Sequence, residues 1–313
     1  MAALGIDTSC YTTSVAISED GSLVADLRKR LEVEDGGLGL RQSEALFMHV
    51  RNLPGLIGAA FSAARAQGLE IASVAVSAWP RRAEGSYMPV FKVGCSSASA
   101  IASSLGLDLV EVSHQEGHIA ACAPGAGLSP GDRFLSVHVS GGTTELLDVS
   151  WEDDAMHVEV LAATTDISAG QMVDRIGSCL GLPFPAGPHL ERIAAAGDDR
   201  SFRIPSSISA GKMSFSGPCE AALRGLRQGR DPGSVARAAF DCIAKSLAGT
   251  ITAASEGTGL TTVLVVGGVA SNARIRAGLV GRLSERGIEV LFGDPGLSAD
   301  NAVGVSYLGE LWG

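Results

Sequence analysis

Phe134-Leu-Ser-Val-His-Val-Ser-Gly-Gly-Thr-Thr-Glu-Leu-Leu147 runs from an apolar strand through a turn of small residues straight into a second strand, the pattern of a β-hairpin. Leu4-Gly-Ile-Asp-Thr-Ser-Cys-Tyr-Thr-Thr-Ser-Val-Ala-Ile17, 130 residues earlier, has the same design. Both turns offer backbone N–H groups and hydroxyls without bulky side chains, so an oxyanion can approach closely. A third segment, Val263-Leu-Val-Val-Gly-Gly-Val-Ala-Ser-Asn272, is again an apolar strand running into small residues. There Gly267-Gly268 is expected to end the strand and open a helix, as a nucleotide site requires. One glycine turn after a strand says little. Three in one chain predict two similar halves facing each other across a cleft.

The chain has 313 residues, more than one core's worth, which agrees with two halves. With 46% apolar and 19% charged residues it reads as a globular protein, well away from disorder. A net charge of −10, with no obvious basic tract, argues against indiscriminate nucleic-acid binding and leaves room for a local basic patch. Six scattered cysteines (10, 95, 122, 179, 219 and 242) form no CxxC pair and suggest thiols in a reducing compartment. No charged-then-apolar leader precedes Leu4 and no run of about 18 apolar residues occurs, so a cytoplasmic protein without membrane contact is expected. The Gly/Pro-rich stretch Ala123 to Gly131 marks a boundary, giving units 1–123 and 124–299, with 300–313 as a C-terminal helix. Residues 41–67 and 233–257 have helical periodicity, and Phe47 and Met48 are expected in the core.

Chemistry enters at Ser113-His114-Gln115-Glu116-Gly117-His118. A serine followed three residues later by a glutamate is a capping box, so a helix is predicted to start at Ser113. His114 and His118 then share one helical face and can reach one metal ion. The positive end of the helix dipole favours neutral imidazole, the ligand form. Gln115 stands where an HExxH peptidase needs its glutamate, which argues against proteolysis.

These segments, in this order and over nearly the whole chain, resemble the TsaD family, once labelled glycoproteases. That family belongs to the actin-like, sugar-kinase and Hsp-type ATPase superfamily. The resemblance implies an α/β, two-lobed actin-like fold with duplicated ribonuclease-H-like halves around a central cleft. It implies transfer of a threonylcarbamoyl group from an adenylate to a tRNA adenosine. By the match, His114, His118 and Asp300 (in Ser298-Ala-Asp-Asn301) are metal ligands. His138, where some members carry a ligating tyrosine, is the expected fourth. The set suits iron or zinc. Val139, Ser140, Gly141 and Gly142 correspond to the phosphate hairpin. Asp174, Gly187, Glu191 and Asn272 correspond to nucleotide or substrate contacts. Asp7 is expected beside the phosphates of an adenine nucleotide, holding a hydrated cation such as Mg. A homo- or heterodimer with a family paralogue is implied as well.

Departures from the family cluster near the reacting group. Its first hairpin usually reads Glu-Thr-Ser-Cys-Asp-Glu-Thr, where this chain has Asp7-Thr-Ser-Cys-Tyr11-Thr12-Thr13. Asp7, Tyr11 and Thr12 are therefore the candidate catalytic positions. Thr143 replaces a histidine, Gln171 and Arg175 alter the Gly-Glu-Ala-Phe-Asp-Lys pattern, and Ser216-Gly-Pro-Cys219-Glu220 replaces a segment that carries a lysine. The family's Gly-Pro-Gly loop has become Trp79-Pro80-Arg81-Arg82-Ala-Glu-Gly-Ser-Tyr87-Met-Pro89. Arg81 and Arg82 are candidate clamps for an acceptor's carboxylate or phosphate, with Trp79 or Tyr87 stacking on a ring; the same residues equally fit a solvated loop with an anchoring tryptophan. The expectation is a divergent paralogue that keeps a binding framework while proton-moving groups have changed. Its function is a metal-dependent carbamoyl transfer to tRNA or a small-molecule acceptor, or a non-catalytic nucleotide-dependent scaffold.

Overall fold

The computed structural model describes residues 1–9, 11–32, 40–197, 199–209 and 211–313; Cys10 of the first turn lies outside them. The first half comprises β1 (Ala2–Asp7), β2 (Thr12–Glu19), β3 (Ser22–Arg30), α1 (Gln42–Ala66), β4 (Ile71–Trp79), α2 (Phe91–Leu105), β5 (Leu109–Ser113) and α3 (His114–Cys122). The second half opens with β6 (Arg133–Val139), β7 (Thr144–Trp151), β8 (Met156–Ala163), α4 (Ala169–Cys179) and α5 (Gly187–Ala195). A two-residue ribbon follows, β9 (Ile208–Ser209) and β10 (Lys212–Met213), then α6 (Ser216–Arg227) and α7 (Pro232–Thr258). The half closes with β11 (Thr262–Val266), α8 (Ala273–Leu283), β12 (Glu289–Phe292) and α9 (Val303–Trp312).

The halves repeat one topology. The first sheet is ordered β3-β2-β1-β4-β5 and the second β12-β11-β6-β7-β8. In each, three strands form an antiparallel meander and two further strands add in parallel beside the first. The four parallel additions need helical crossovers, supplied by α1, α2, the α4–α7 segment and α8. Strands β1 and β11 read as near-continuous apolar runs because both of their faces are covered.

The two helices that follow the fifth strand of each sheet, α3 and α9, pack on one another. Helix α9 lies on β1, β2 and β4, so the C-terminal segment returns to the first sheet. One apolar cluster, including Ile119, Phe134, Leu147, Leu264, Val305 and Leu308, joins the two sheets through these helices.

Both helical segments read from periodicity are present, as α1 and α7. Met48 is partly buried against a small cluster around Leu31 and Phe91, but Phe47 is 62% exposed. Helix α1 buries Ala45, His49, Asn52 and Leu53, and Phe47 falls between these positions on the outer face. Gly267-Gly268 ends β11 as expected but does not open a helix directly. A short 3-10 turn, Gly268–Ser271, intervenes, and Asn272 then caps α8. Among the described residues no helix is long and apolar enough to cross a membrane, and no disulfide is formed.

Candidate functional site

Ser113 caps α3 as its sequence predicts. Its hydroxyl accepts from the Glu116 N–H, and the Glu116 carboxylate accepts from the Ser113 N–H. His114 and His118 then emerge from the first two turns, and Asp300 approaches from the turn before α9. The His118 Nε2 and His114 Nε2 atoms are 3.1 Å apart. Asp300 Oδ1 lies 3.4 Å from His118 Nε2 and 3.6 Å from His114 Nε2. A tetrahedral ion bonded at about 2.0–2.1 Å needs donor atoms about 3.3 Å apart. The triangle brackets that value, and the residues fit a divalent transition metal.

Two glycines make this meeting possible. A Cβ on Gly304 of α9 would stand 1.9 Å from the Gly117 carbonyl oxygen and 2.5 Å from the Ala121 nitrogen. One on Gly117 would meet a Val305 methyl at 3.1 Å. Helix backbones can approach this closely only where side chains are missing. Gly5 plays the same part beneath α9, where a Cβ would stand 2.4 Å from the Ser306 nitrogen. The sequence reading missed this seam because Gly117 and Gly304 are 187 positions apart.

Asp7 is fully buried at the end of β1. One carboxylate oxygen accepts from the Ser9 N–H at 2.6 Å and the other lies 2.9 Å from His114 Nδ1. Both oxygens have partners within the chain, and Asp7 orients His114. A carboxylate behind a ligand histidine fixes the tautomer and raises its basicity. Burial disfavours the charged form of His114, but Asp7, joined by Asp300, outweighs it and raises its pKa. The helix-dipole expectation of an easily neutral imidazole therefore does not hold for His114. At His118 burial and then the neighbouring His114 lower the pKa and favour the neutral imidazole, causes other than the helix dipole. Burial works to raise the Asp300 carboxyl, but its hydrogen bond to His118 and the three imidazoles hold it down to about 2.

His138 stands beside this triangle rather than in it. Its ring centroid is 4.7 Å from that of His118 and 6.3 Å from that of His114. Burial drives its pKa well below the usual range, and its buried Nε2 has no hydrogen-bond partner among the described residues.

Two residues along β6 from His138, the hairpin turn begins. Ser140 N–H donates to the Thr143 carbonyl at 2.8 Å, and Gly141 and Gly142 are exposed with open space around them. The N-terminus of α4 abuts this turn: Ser168 Oγ donates to the Gly141 carbonyl at 2.7 Å. A Cβ on Gly170 would be 2.4 Å from the Ser140 carbonyl oxygen. Two bare amides beside a helix N-terminus suit an anion.

A family model described as tRNA N6-adenosine threonylcarbamoyltransferase (TsaD) matches residues 33–307. The chain belongs to the TsaD family. Its similarity to the tRNA N6-adenosine threonylcarbamoyltransferase of Thermus thermophilus is 34% identity over 301 residues, 95% of this chain and 88% of the relative. To the same enzyme of Bifidobacterium adolescentis it is 30% identity over 321 residues, covering 98% and 90%. Among solved structures, T. kodakarensis HypF superposes with a TM-score of 0.67 at 15% identity over 99% of the chain, which spans about half (47%) of HypF. A ROK family glucokinase from Streptomyces griseus gives 0.55 at 13% identity, covering 99% of both. At such identities these two show the fold alone, the expected two-lobed actin-like one.

Asp174, Gly187, Glu191 and Asn272 lie in the second half, on α4, α5 and the start of α8. Asp174 accepts from the Ala186 N–H at 2.8 Å, and burial raises its pKa. That bond fixes the loop entering α5, where Gly187 is the first helical residue. Glu191 on α5 accepts from the Ala273 N–H at 2.7 Å, and Asn272 Oδ1 caps α8 at Ile275. Thr12 is buried at the start of β2, and Tyr11 meets Phe184 of the other half edge-on at 5.7 Å between centroids. Gln171, in place of the TsaD glutamate, caps α4 through the Ser168 N–H.

Both arginines of the Trp79–Pro89 loop have partners within the chain. Arg81 is paired with Glu145 at 2.9 Å, and Glu145 also accepts from Gln115 Nε2 at 2.9 Å. Arg82 pairs with Glu116 at 3.0 Å and lies over the Trp79 ring, while Tyr87 is exposed near Lys92. The guanidiniums tie the loop to α3 and β7 rather than standing open as ligand clamps. The carboxylates that claim them are distant in sequence.

Proposed function

We propose that this chain transfers a threonylcarbamoyl-type group from an adenylate to an amine, with a tRNA adenosine as acceptor. The observation that carries this reading is the His114–His118–Asp300 triangle, sized for one ion and set beside the Ser140–Gly142 turn. A zinc or ferrous ion held there would supply a Lewis acid. His138 offers its unpartnered Nε2 to the same region. The Gly141 and Gly142 amides and the start of α4 would take the adenylate phosphate. Asp174, Gly187, Glu191 and Asn272 would place the nucleoside between α5 and α8, in part through the loop and helix starts they fix.

The acceptor nitrogen attacks the carbamoyl carbon, the bond from that carbon to the phosphate oxygen breaks, and AMP leaves with the electron pair. Because Asp7 is committed to Ser9 and His114, and Tyr11 and Thr12 replace carboxylates, the amine proton leaves to solvent. The protein contributes orientation and charge stabilisation rather than a general base. A dimer with a family paralogue belongs to this proposal, and Phe47 and Val50, exposed on α1, offer it an apolar face.

The test is incubation of metal-loaded protein with threonylcarbamoyl-adenylate and tRNA. AMP should appear together with modified tRNA, and both should vanish in His114→Ala with His118→Ala. No AMP with tRNA or small amines would leave the scaffold reading in its place.

A further inference from the structure

A pocket of about 920 Å³ opens between α5, α7 and α8, lined by none of the residues assigned above to metal or nucleotide. Six cations line it: Arg200, Arg203, Arg237, Lys245, Arg274 and Arg282. The one acid among its walls, Asp241, is already held by Arg274 through two hydrogen bonds of 2.8 and 2.9 Å. Arg200 and Lys245 are neither hydrogen-bonded nor ion-paired among the described residues and are exposed.

Arg237 is the decisive residue. It is 6% exposed, donates to the Asp199 carbonyl, and leaves its buried Nε without a partner. No carboxylate pairs with it among the described residues. A buried guanidinium lacking a counter-charge is costly unless something outside the chain supplies one.

The sequence holds no basic run, yet the fold brings a local basic patch together. Residues 175–286 hold 14 of the 24 Lys/Arg but only eight of the 34 acids, a net +6 against −16 for the rest. The cations are too far apart in sequence to form a run. Helix packing gathers six of them around one pocket of an otherwise acidic molecule, which would repel a polyanion elsewhere. Arg274 and Arg282 are eight residues apart on α8, about 12 Å along its axis. That span exceeds a single phosphate group and suits two phosphates of one extended backbone.

We propose that this pocket docks the phosphodiester backbone of the RNA acceptor, with Arg237 as the buried anchor and the surface cations flanking it. The proposal rests on the tRNA reading above for the polyanion's identity, and on the pocket alone for its place. Docking here would hold the acceptor by its backbone and leave a base free to reach the other site.

The experiment measures binding of labelled unfractionated tRNA to the full chain by fluorescence anisotropy across a salt series, without adenylate. Arg200→Gln with Lys245→Gln should weaken binding by roughly tenfold or more at about 0.1 M salt and reduce the log–log salt slope by about 1.4–1.8. Lys245→Arg should bind as the wild type does. Unchanged affinity and slope in the double variant would overturn the proposal. So would displacement of tRNA by millimolar inorganic phosphate or AMP with the same dependence on Arg200 and Lys245, which would make the pocket a small-anion site. His114→Ala with His118→Ala should retain full tRNA binding, so loss of the chemistry and loss of docking are read separately.

Discussion

Replacing Gly304 by alanine should cost the protein its metal before it costs the fold. The new Cβ would lie 1.9 Å from the Gly117 carbonyl oxygen, and real Cβ atoms stay beyond 3.0 Å, so α3 and α9 must part by at least about 1.1 Å. Helix α9 cannot yield toward the sheet, because a Cβ on Gly5 would already stand 2.4 Å from the Ser306 nitrogen and so marks a packed floor. The displacement therefore falls between Asp300 and the two histidines. Overpacking of this kind costs about 1–3 kcal/mol, and the better helix propensity of alanine returns up to about 1 kcal/mol. The net loss is at most about 3 kcal/mol, which a fold of ordinary stability survives. Metal ligands tolerate only about 0.2 Å, so the site suffers far more than the stability does. Gly58→Ala on α1, where a Cβ meets nothing within 4 Å, is the control and should be neutral or stabilising by up to about 1 kcal/mol. Elemental analysis and circular dichroism should show the wild type and Gly58→Ala near one metal per chain, with Gly304→Ala folded and depleted. A fully metallated Gly304→Ala protein would refute the seam as the device that assembles the site.

Proton competition gives a second test. Because His114's pKa is raised, its proton opposes metal binding at higher pH than an ordinary histidine would, so affinity should begin to fall above pH 6.5 as the pH is lowered. Asp7→Asn removes the charge that raises it and should shift that fall to lower pH while weakening the metal about 10–100-fold at neutral pH. An unchanged pH profile, read by competition with a chelator, would separate Asp7 from the site. Arg81→Gln should leave adenylate affinity unchanged by calorimetry, since Glu145 already occupies the guanidinium, whereas a tenfold loss would restore its role as a ligand clamp. Gly170→Ala should distort the turn through the Ser140 carbonyl and weaken nucleotide binding, and wild-type affinity in that variant would move the phosphate elsewhere.

Local order was legible in the chain because its causes are local. The two hairpins, the Ser113–Glu116 capping box, α1 and α7 all follow from spacing within one element. Asp300 entered by resemblance alone, since nothing near it in sequence marks a ligand. The partners of Arg81 and Arg82 were hidden for the opposite reason. A charged loop reads as available until the fold brings Glu145 and Glu116 to it.

The sequence by itself determined two halves of one design, a helix bearing two imidazoles on one face, and turns bare enough for a phosphate. Tertiary structure alone decided that α9 returns to the first sheet and presses Asp300 toward those imidazoles, that Asp7 stands behind His114, and that scattered arginines surround one pocket. Periodicity and capping act over a few residues and leave their mark in the chain. Close approach of backbones and the gathering of like charges depend on contacts between residues far apart in sequence, which no local pattern records.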